Sequence, residues 1–186
     1  MTNLSHMPPI RDQLGRALRD LRISVMDRCN FRCVYCMPED KFHPGFKFLP
    51  SKERLSFDEM LRLVRIFTKL GVSKIRITGG EPLLRVNLTD FIGDLSTIDK
   101  IKDIALTTNG VLLKKYADEL KAAGLDRITV SLDSIDPNEF RLMTGGRGDL
   151  NQVLNGIDGA QRAGFKDIKI NAVIKKGVNE SNILKM

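Results

Sequence analysis

The sequence has no tryptophan, only two tyrosines and two histidines, and no cysteine outside one stretch of eight residues. Three cysteines, odd in number and packed into Cys29–Cys36, argue against a disulfide framework and toward metal or thiol chemistry. No apolar run approaches the ~18 residues of a membrane span, and the opening stretch MTNLSHMPPIRDQLGRALRD lacks the apolar centre of a secretory signal. A cytoplasmic protein with no membrane partner is therefore expected. The histidines offer little for acid–base work, since His6 sits in the N-terminal segment and His43 in a His-Pro-Gly turn. No catalytic acid or base is assigned. What is present is ordinary for one globular domain: 186 residues, 42% hydrophobic, 28% charged, with a net charge of +7 that favours anionic partners. Nucleic acid is not expected among them, because no basic run is interleaved with aromatics.

Short alternating runs are followed by longer runs of helical period, with turn residues between. Strands are expected at 21–26, 73–78, 103–108, 127–132 and 167–174. Helices are expected at about 57–70, 88–98, 112–123 and 152–163, with the start of another from Glu180. Ser56 and Glu59 form a capping-box pair ahead of the first helix, Leu61, Val64, Ile66 and Phe67 give it an apolar side, and Gly71 is placed to end it. Strands alternating with helices imply parallel pairing through right-handed crossovers. That makes five β/α units, the last incomplete.

A doubly wound sheet and a barrel both fit this count, and side-chain alternation separates them. Parallel strands covered on both faces read as continuous apolar runs. These strands carry Ile23, Val25, Ile75, Ile77, Ile104, Leu106, Ile128, Val130, Ile168 and Ile170 on one face only. Arg22, Arg76, Thr107 and Lys169 fall on the other, polar face. A sheet with one wet face remains open, and the sharper expectation is a curved, partial (β/α) TIM-type barrel whose lumen receives an anionic ligand.

The cysteines stand as C-x3-C-x2-C in MDRCNFRCVYCMPED, directly after the first strand. Three buried residues on a helix stripe would share this spacing, but Pro38 and the charges of Asp27, Arg28 and Arg32 oppose it. Zinc suits thiolates yet prefers four closed ligands, with His43 as the one candidate for the fourth. An iron–sulfur cluster held by three cysteines leaves one iron open to a ligand. The second strand ends in Thr78-Gly79-Gly80-Glu81-Pro82, where two glycines permit close backbone approach and a carboxylate suits an ammonium group. Thr107-Thr108-Asn109-Gly110 and Ser131-Leu132-Asp133-Ser134 close the third and fourth. Each is a generic turn alone, but all lie at C-terminal strand ends, where β/α barrels build their sites.

The cysteine loop with Tyr35 between its last two cysteines resembles the signature of the radical S-adenosylmethionine superfamily. With LRISVMDRCNFRCVYCMPED, FLPSKERLSFDEM, KIRITGGEPLLR, ALTTNG, ITVSLDS and IKINAVIKKGVNE, about 21–179 is similar to the MoaA-type GTP 3′,8-cyclases of molybdenum cofactor biosynthesis. That resemblance implies a [4Fe–4S] cluster on Cys29, Cys33 and Cys36. It implies S-adenosylmethionine against Tyr35, Gly80 and Ser131, and GTP against Arg22, Arg76, Thr107 and Lys169. The implied reaction is a lyase-class cyclisation of GTP to (8S)-3′,8-cyclo-7,8-dihydroguanosine 5′-triphosphate, begun by a 5′-deoxyadenosyl radical. Implied partners are an electron donor and the downstream enzyme that makes cyclic pyranopterin monophosphate, and a homodimer is left open. A peptide-modifying maturase of the same superfamily, and a non-enzymatic metal-binding module, are the competing readings.

The domain expectation is an N-terminal segment over 1–20 and an incomplete radical S-adenosylmethionine core over 21–186. Members of the cyclase family carry a further β/α unit and additional C-terminal cysteines for a second [4Fe–4S] cluster. No cysteine follows Cys36, which leaves a partial sequence or a truncated protein; the first is expected, because the retained motifs are intact and the chain stops just inside a helix, with a second cluster only in the full-length enzyme.

Overall fold

The computed structural model describes residues 10–186, so His6 and the start of the 1–20 segment lie outside the described residues. Five strands, β1 (Asp20–Ser24), β2 (Lys74–Thr78), β3 (Asp103–Thr108), β4 (Arg127–Ser131) and β5 (Ile168–Asn171), pair in parallel in the order β1-β2-β3-β4-β5. A doubly wound sheet reverses its order at a switch point, whereas an unbroken order builds a barrel wall. The architecture is the α/β, partial-barrel arrangement expected from the alternation.

The crossovers are α1 (Phe57–Lys69), α2 (Leu88–Ser96), α3 (Leu113–Ala122), and then α4 (Pro137–Met143) followed by α5 (Leu150–Arg162). They cover the apolar strand face, where Ile75, Ile77, Ile104, Leu106, Ile128 and Val130 are buried. Gly71, Gly124 and Gly164 follow α1, α3 and α5 at φ of 111°, 94° and 92°, the left-handed geometry that ends a helix without strain at glycine.

The capping box before α1 is complete. Glu59 N donates to Ser56 Oγ at 3.2 Å, and Ser56 N donates to Glu59 Oε2 at 2.7 Å. The apolar side of α1 differs from expectation, because Met60, Leu61 and Val64 are buried while Ile66 is 47% exposed. Helix α4 was not anticipated. Its start was nevertheless written in Asp136-Pro137-Asn138-Glu139, where Asp136 accepts from Asn138 N and Glu139 N with Pro137 at the first turn. Asp149 likewise starts α5 two residues before the expected Gln152. β5 is shorter than the expected 167–174 and leaves Ile170 at 38% exposure, and Glu180–Lys185 forms 3-10 turns rather than an α-helix.

One buried carboxylate joins the ends of β2 and β3. Glu81, fully buried, accepts from Thr108 Oγ1 at 2.7 Å, Asn109 N at 2.8 Å and Leu83 N at 3.0 Å. Its side chain thereby fixes the loop after β2 to the top of β3. Burial pushes the Glu81 carboxyl above its ordinary range, against the lowering effect of those donors.

Replacing Ser56 with Ala is expected to destabilise the fold by about 1 kcal/mol in urea unfolding, the usual cost of losing an N-cap. For Glu81 the folded-state pKa lies above the unfolded one, so its contribution is fully present below the unfolded value of about 4.3. It is lost as pH rises through the folded value. Unfolding midpoints measured from pH 4 to 8 are expected to fall with rising pH, and Glu81→Gln is expected to flatten that fall.

Candidate functional site

β1 ends at Ser24, and the chain then crosses the top of the barrel as an irregular loop carrying all three cysteines. Glycine lets this loop lie directly on the end of β2. Gly80 N donates to Met26 O at 2.6 Å and Glu81 N donates to Arg28 O at 2.8 Å. A Cβ on Gly79 would meet Met26 O at 2.5 Å, and one on Gly80 would meet Arg28 O at 2.2 Å. These are impossible contacts for any other residue. The close approach that Gly79-Gly80 permits is thus made by the cysteine loop itself. The free carboxylate expected at Glu81 for an ammonium group is likewise corrected, because both Glu81 oxygens are taken within the protein.

Arg32 holds the loop from inside. It is 7% exposed, and its guanidinium donates to Phe42 O at 2.9 Å, Cys29 O at 2.9 Å and Phe31 O at 2.8 Å. Its charge had been read as opposing burial; three carbonyls make burial acceptable. The far side of the loop rests on the connection after α4. Arg32 N donates to Thr144 O and Val34 N to Met143 O, both at 3.1 Å. Gly148 has no room for a Cβ against the Phe31 ring, which meets Phe140 edge-on at 5.9 Å between centroids.

A cavity of about 200 Å³ opens where these parts meet. Cys29, Cys33, Cys36 and Tyr35 wall it from the loop, with Gly80, Thr107 and Ser131 from the tops of β2, β3 and β4. Seven of the residues expected at the site are therefore gathered in one wall. Arg22, Arg76 and Lys169 are not in it; Arg22 and Arg76 lie one row lower on the polar face of the sheet, and Lys169 lies level with Thr107 but two strands away. Arg22 is directly beside Arg76 in register, and Lys169 is in a row with Thr129 and Thr107. At the opposite, N-terminal end of that face Asp103 pairs with Arg127 and lies 4.0 Å from Lys74. Among the described residues no carboxylate pairs with Arg22 or Arg76.

Side chains that sequence reasoning passed over complete the site. Asp133, 6% exposed, accepts from Tyr35 Oη at 2.8 Å through one oxygen and from Val173 N at 2.8 Å through the other. Asn179 donates to Asp133 O at 2.7 Å and Val173 O at 2.9 Å. The cysteine loop, β4 and the chain beyond β5 are thereby tied in one network. Asn109 donates to Asn30 Oδ1 at 2.7 Å and points its amide at Cys29 Sγ, 3.8 Å away. Buried Thr144 also lines the cavity, with its hydroxyl unpartnered. Asn109 and Asp133 lie inside the strand-end motifs and Asn179 inside the IKINAVIKKGVNE segment; Thr144 carries no such marker.

The donor set suits a thiolate-bound iron–sulfur group. Three free thiols line the cavity, its one carboxylate, Asp133, is committed to Tyr35 and Val173, and no histidine is in the wall. His43 is exposed and its Nδ1 accepts from Gly45 N within its own turn. A cluster takes one thiolate per iron, so three cysteines serve three irons. Burial pushes the Cys29 thiol up, and pushes Cys33 up to about 12 with further help from the Asp133 charge. Burial first and the bond to Asp133 second raise the Tyr35 hydroxyl. Both thiols thus hold their protons at neutral pH. Asp133→Asn is expected to lower the Cys33 pKa and so speed alkylation of Cys33 in metal-free protein. Each unit of lowering gives about tenfold more thiolate, read by mass spectrometry at pH 8.

The chain has clear relatives. Over 176 residues it is 53% identical to the GTP 3′,8-cyclase of Xanthomonas axonopodis pv. citri (strain 306), covering 95% of this chain and 52% of that protein. With the GTP 3′,8-cyclase of Acidothermus cellulolyticus it shares 54% over 175 residues, 94% of this chain and 48% of that one. The chain thus spans about half the length of these relatives. Streptococcus suis SuiB bound to S-adenosylmethionine shares the fold, with a TM-score of 0.71 over 89% of this chain and 36% of SuiB at 22% identity. The Radical SAM superfamily pattern matches residues 23–186, nearly all of the sheet and the whole cysteine loop, and the chain belongs to that superfamily.

Proposed function

We propose that this chain is the radical-generating core of a GTP 3′,8-cyclase, a lyase that closes GTP to (8S)-3′,8-cyclo-7,8-dihydroguanosine 5′-triphosphate. The observation that carries the reading is the pair of adjacent arginines, Arg22 and Arg76, below the cysteine cavity. Like charges directly opposed on neighbouring strands destabilise a sheet unless something anionic lies between them. A triphosphate has the right charge, and guanidinium groups bind phosphate oxygens with paired hydrogen bonds. The relatives that match over nearly all of this chain carry the same activity in their names.

In this reading Cys29, Cys33 and Cys36 hold a [4Fe–4S] cluster, and Tyr35, Gly80 and Ser131 contact S-adenosylmethionine. When bound, the cluster and S-adenosylmethionine supply the one-electron chemistry that yields an organic radical. The chain's own residues do the positioning. Gly80 keeps the floor of the cavity at backbone level, and Asp133 fixes the Tyr35 ring through its hydroxyl. Arg22, Arg76, Thr107 and Lys169 place GTP on the polar face, with Thr107 reaching both the cavity wall and the row that ends in Lys169. Such placement, together with exclusion of water, is the protein's share of the rate enhancement.

The reading takes 21–186 as the core and 1–20 as a preceding segment. It includes an electron donor, the downstream enzyme of the pathway, a homodimer, and a second cluster in the full-length enzyme. A cytoplasmic site agrees with unpaired, clustered thiols that need a reducing compartment, and no helix of the described residues is long and apolar enough to cross a membrane.

GTP binding to anaerobically reconstituted protein tests the assignment. Arg22→Gln and Arg76→Gln are each expected to weaken GTP by about tenfold or more, as loss of a charge-assisted hydrogen bond does, with iron content unchanged. Unchanged GTP affinity in both variants rejects the cyclase reading and leaves the superfamily.

A further inference from the structure

Outside the lumen, between the start of the cysteine loop and the turn before α1, Arg28, Arg54 and Arg85 converge on a cavity of about 510 Å³. Met26 and Ser51 share its wall, which contains no acidic side chain and neither Arg22 nor Arg76.

The arginines are unequally satisfied. Arg85 donates to Val25 O at 2.9 Å and Leu55 O at 2.8 Å, and its guanidinium lies over the Phe57 ring at 4.6 Å. Arg54 has only weak company. Its Nη1 faces the thioether sulfur of Met26 at 2.9 Å, its Nη2 donates to Ser51 Oγ at 2.7 Å, and its Nε is buried with no acceptor. A thioether is a poor acceptor, and a buried guanidinium donor left unpaired is costly. Arg28 is exposed at the rim, 5.8 Å from the Phe48 ring centroid. Among the described residues no carboxylate comes within ion-pairing distance of any of the three. Asp27, beside Arg28 in sequence, gives one oxygen to Leu49 N instead. Burial first, and the neighbouring charge of Arg54 second, lower the Arg85 pKa.

A ligand that removes this imbalance must be anionic and must face three cations at once. A phosphate group does both, since it carries up to two charges and several acceptor oxygens matched to guanidinium edges. The volume exceeds that of the bare ion and leaves room for a small esterified group. We propose that the Arg28–Arg54–Arg85 pocket is a phosphate-binding site, separate from the lumen, that takes inorganic phosphate or a sugar phosphate. The assignment stands apart from the cyclase reading, because none of its residues is among those assigned to GTP.

Thermal unfolding of the full chain at constant ionic strength, with chloride replaced stepwise by inorganic phosphate or by ribose 5-phosphate, reads the site. Both anions are expected to raise the melting temperature, and the one active at lower concentration identifies the source. Arg54→Gln is expected to raise the half-saturating concentration about tenfold. Arg28→Gln, at an exposed rim position, is expected to act in the same direction, and Arg76→Gln is expected to leave the response intact. No response to either anion overturns the proposal. So does a response kept in both Arg54→Gln and Arg28→Gln, or one lost in Arg76→Gln, which assigns the phosphate to the lumen.

Discussion

The cysteine loop has one point of closest contact with the barrel, and everything at the site depends on it. Two consecutive backbone donors, Gly80 N and Glu81 N, reach Met26 O and Arg28 O across a gap in which no Cβ fits. That contact sets where Cys29 begins. Behind it the Glu81 side chain turns inward to Thr108 and Asn109, so the segment that receives the loop is itself fixed to β3. A one-residue shift of either partner would misplace the first cysteine and Asn109 together, since Asn109 both donates its backbone to Glu81 and aims its amide at Cys29.

Charge on the polar face is sorted by partner. At the N-terminal end Asp103 lies between Arg127 and Lys74, and those cations serve the sheet. Two residues higher, Arg22, Arg76, Ala105 and Arg127 share one register row; Arg127 reaches down to Asp103, while Ala105 occupies the place beside Arg76 that could have held a counter-ion, so Arg22 and Arg76 are left without one. That sorting shows why a net charge of +7 was uninformative by itself: some of that charge is spent in structural pairs, and only its location distinguishes the rest.

Much of this was legible in the sequence because it is written in local chemistry. Period-two alternation gave the strands and their polar face, and Ser56 with Glu59 gave the start of α1. What escaped was decided by distant partners. Arg32 reads as a surface charge until three carbonyls surround it. Glu81 reads as a free carboxylate until β3 supplies its donors. Ile66 looks like a core residue by hydrophobicity, yet the buried stripe of α1 runs through Met60, Leu61, Val64 and Thr68, and helical phase puts Ile66 on the other side. Asp133 could be placed at a strand end but not assigned, because its meaning lies in Tyr35 and Val173, 98 and 40 residues away.

The loop is also fully specified by protein contacts, unlike many small metal sites that fold only around their ion. Arg32 closes it from within, Thr144 and Met143 support its middle, and Tyr35 anchors its far end on Asp133. Burial keeps Cys29 and Cys33 protonated in this arrangement, so the scaffold does not rely on thiolate charge to hold its shape. The proton affinity of Cys33 in turn depends partly on Asp133, the residue that anchors Tyr35. A wall of three thiols beside two glycines and a tyrosine fixed by Asp133 is therefore held by the chain's own contacts.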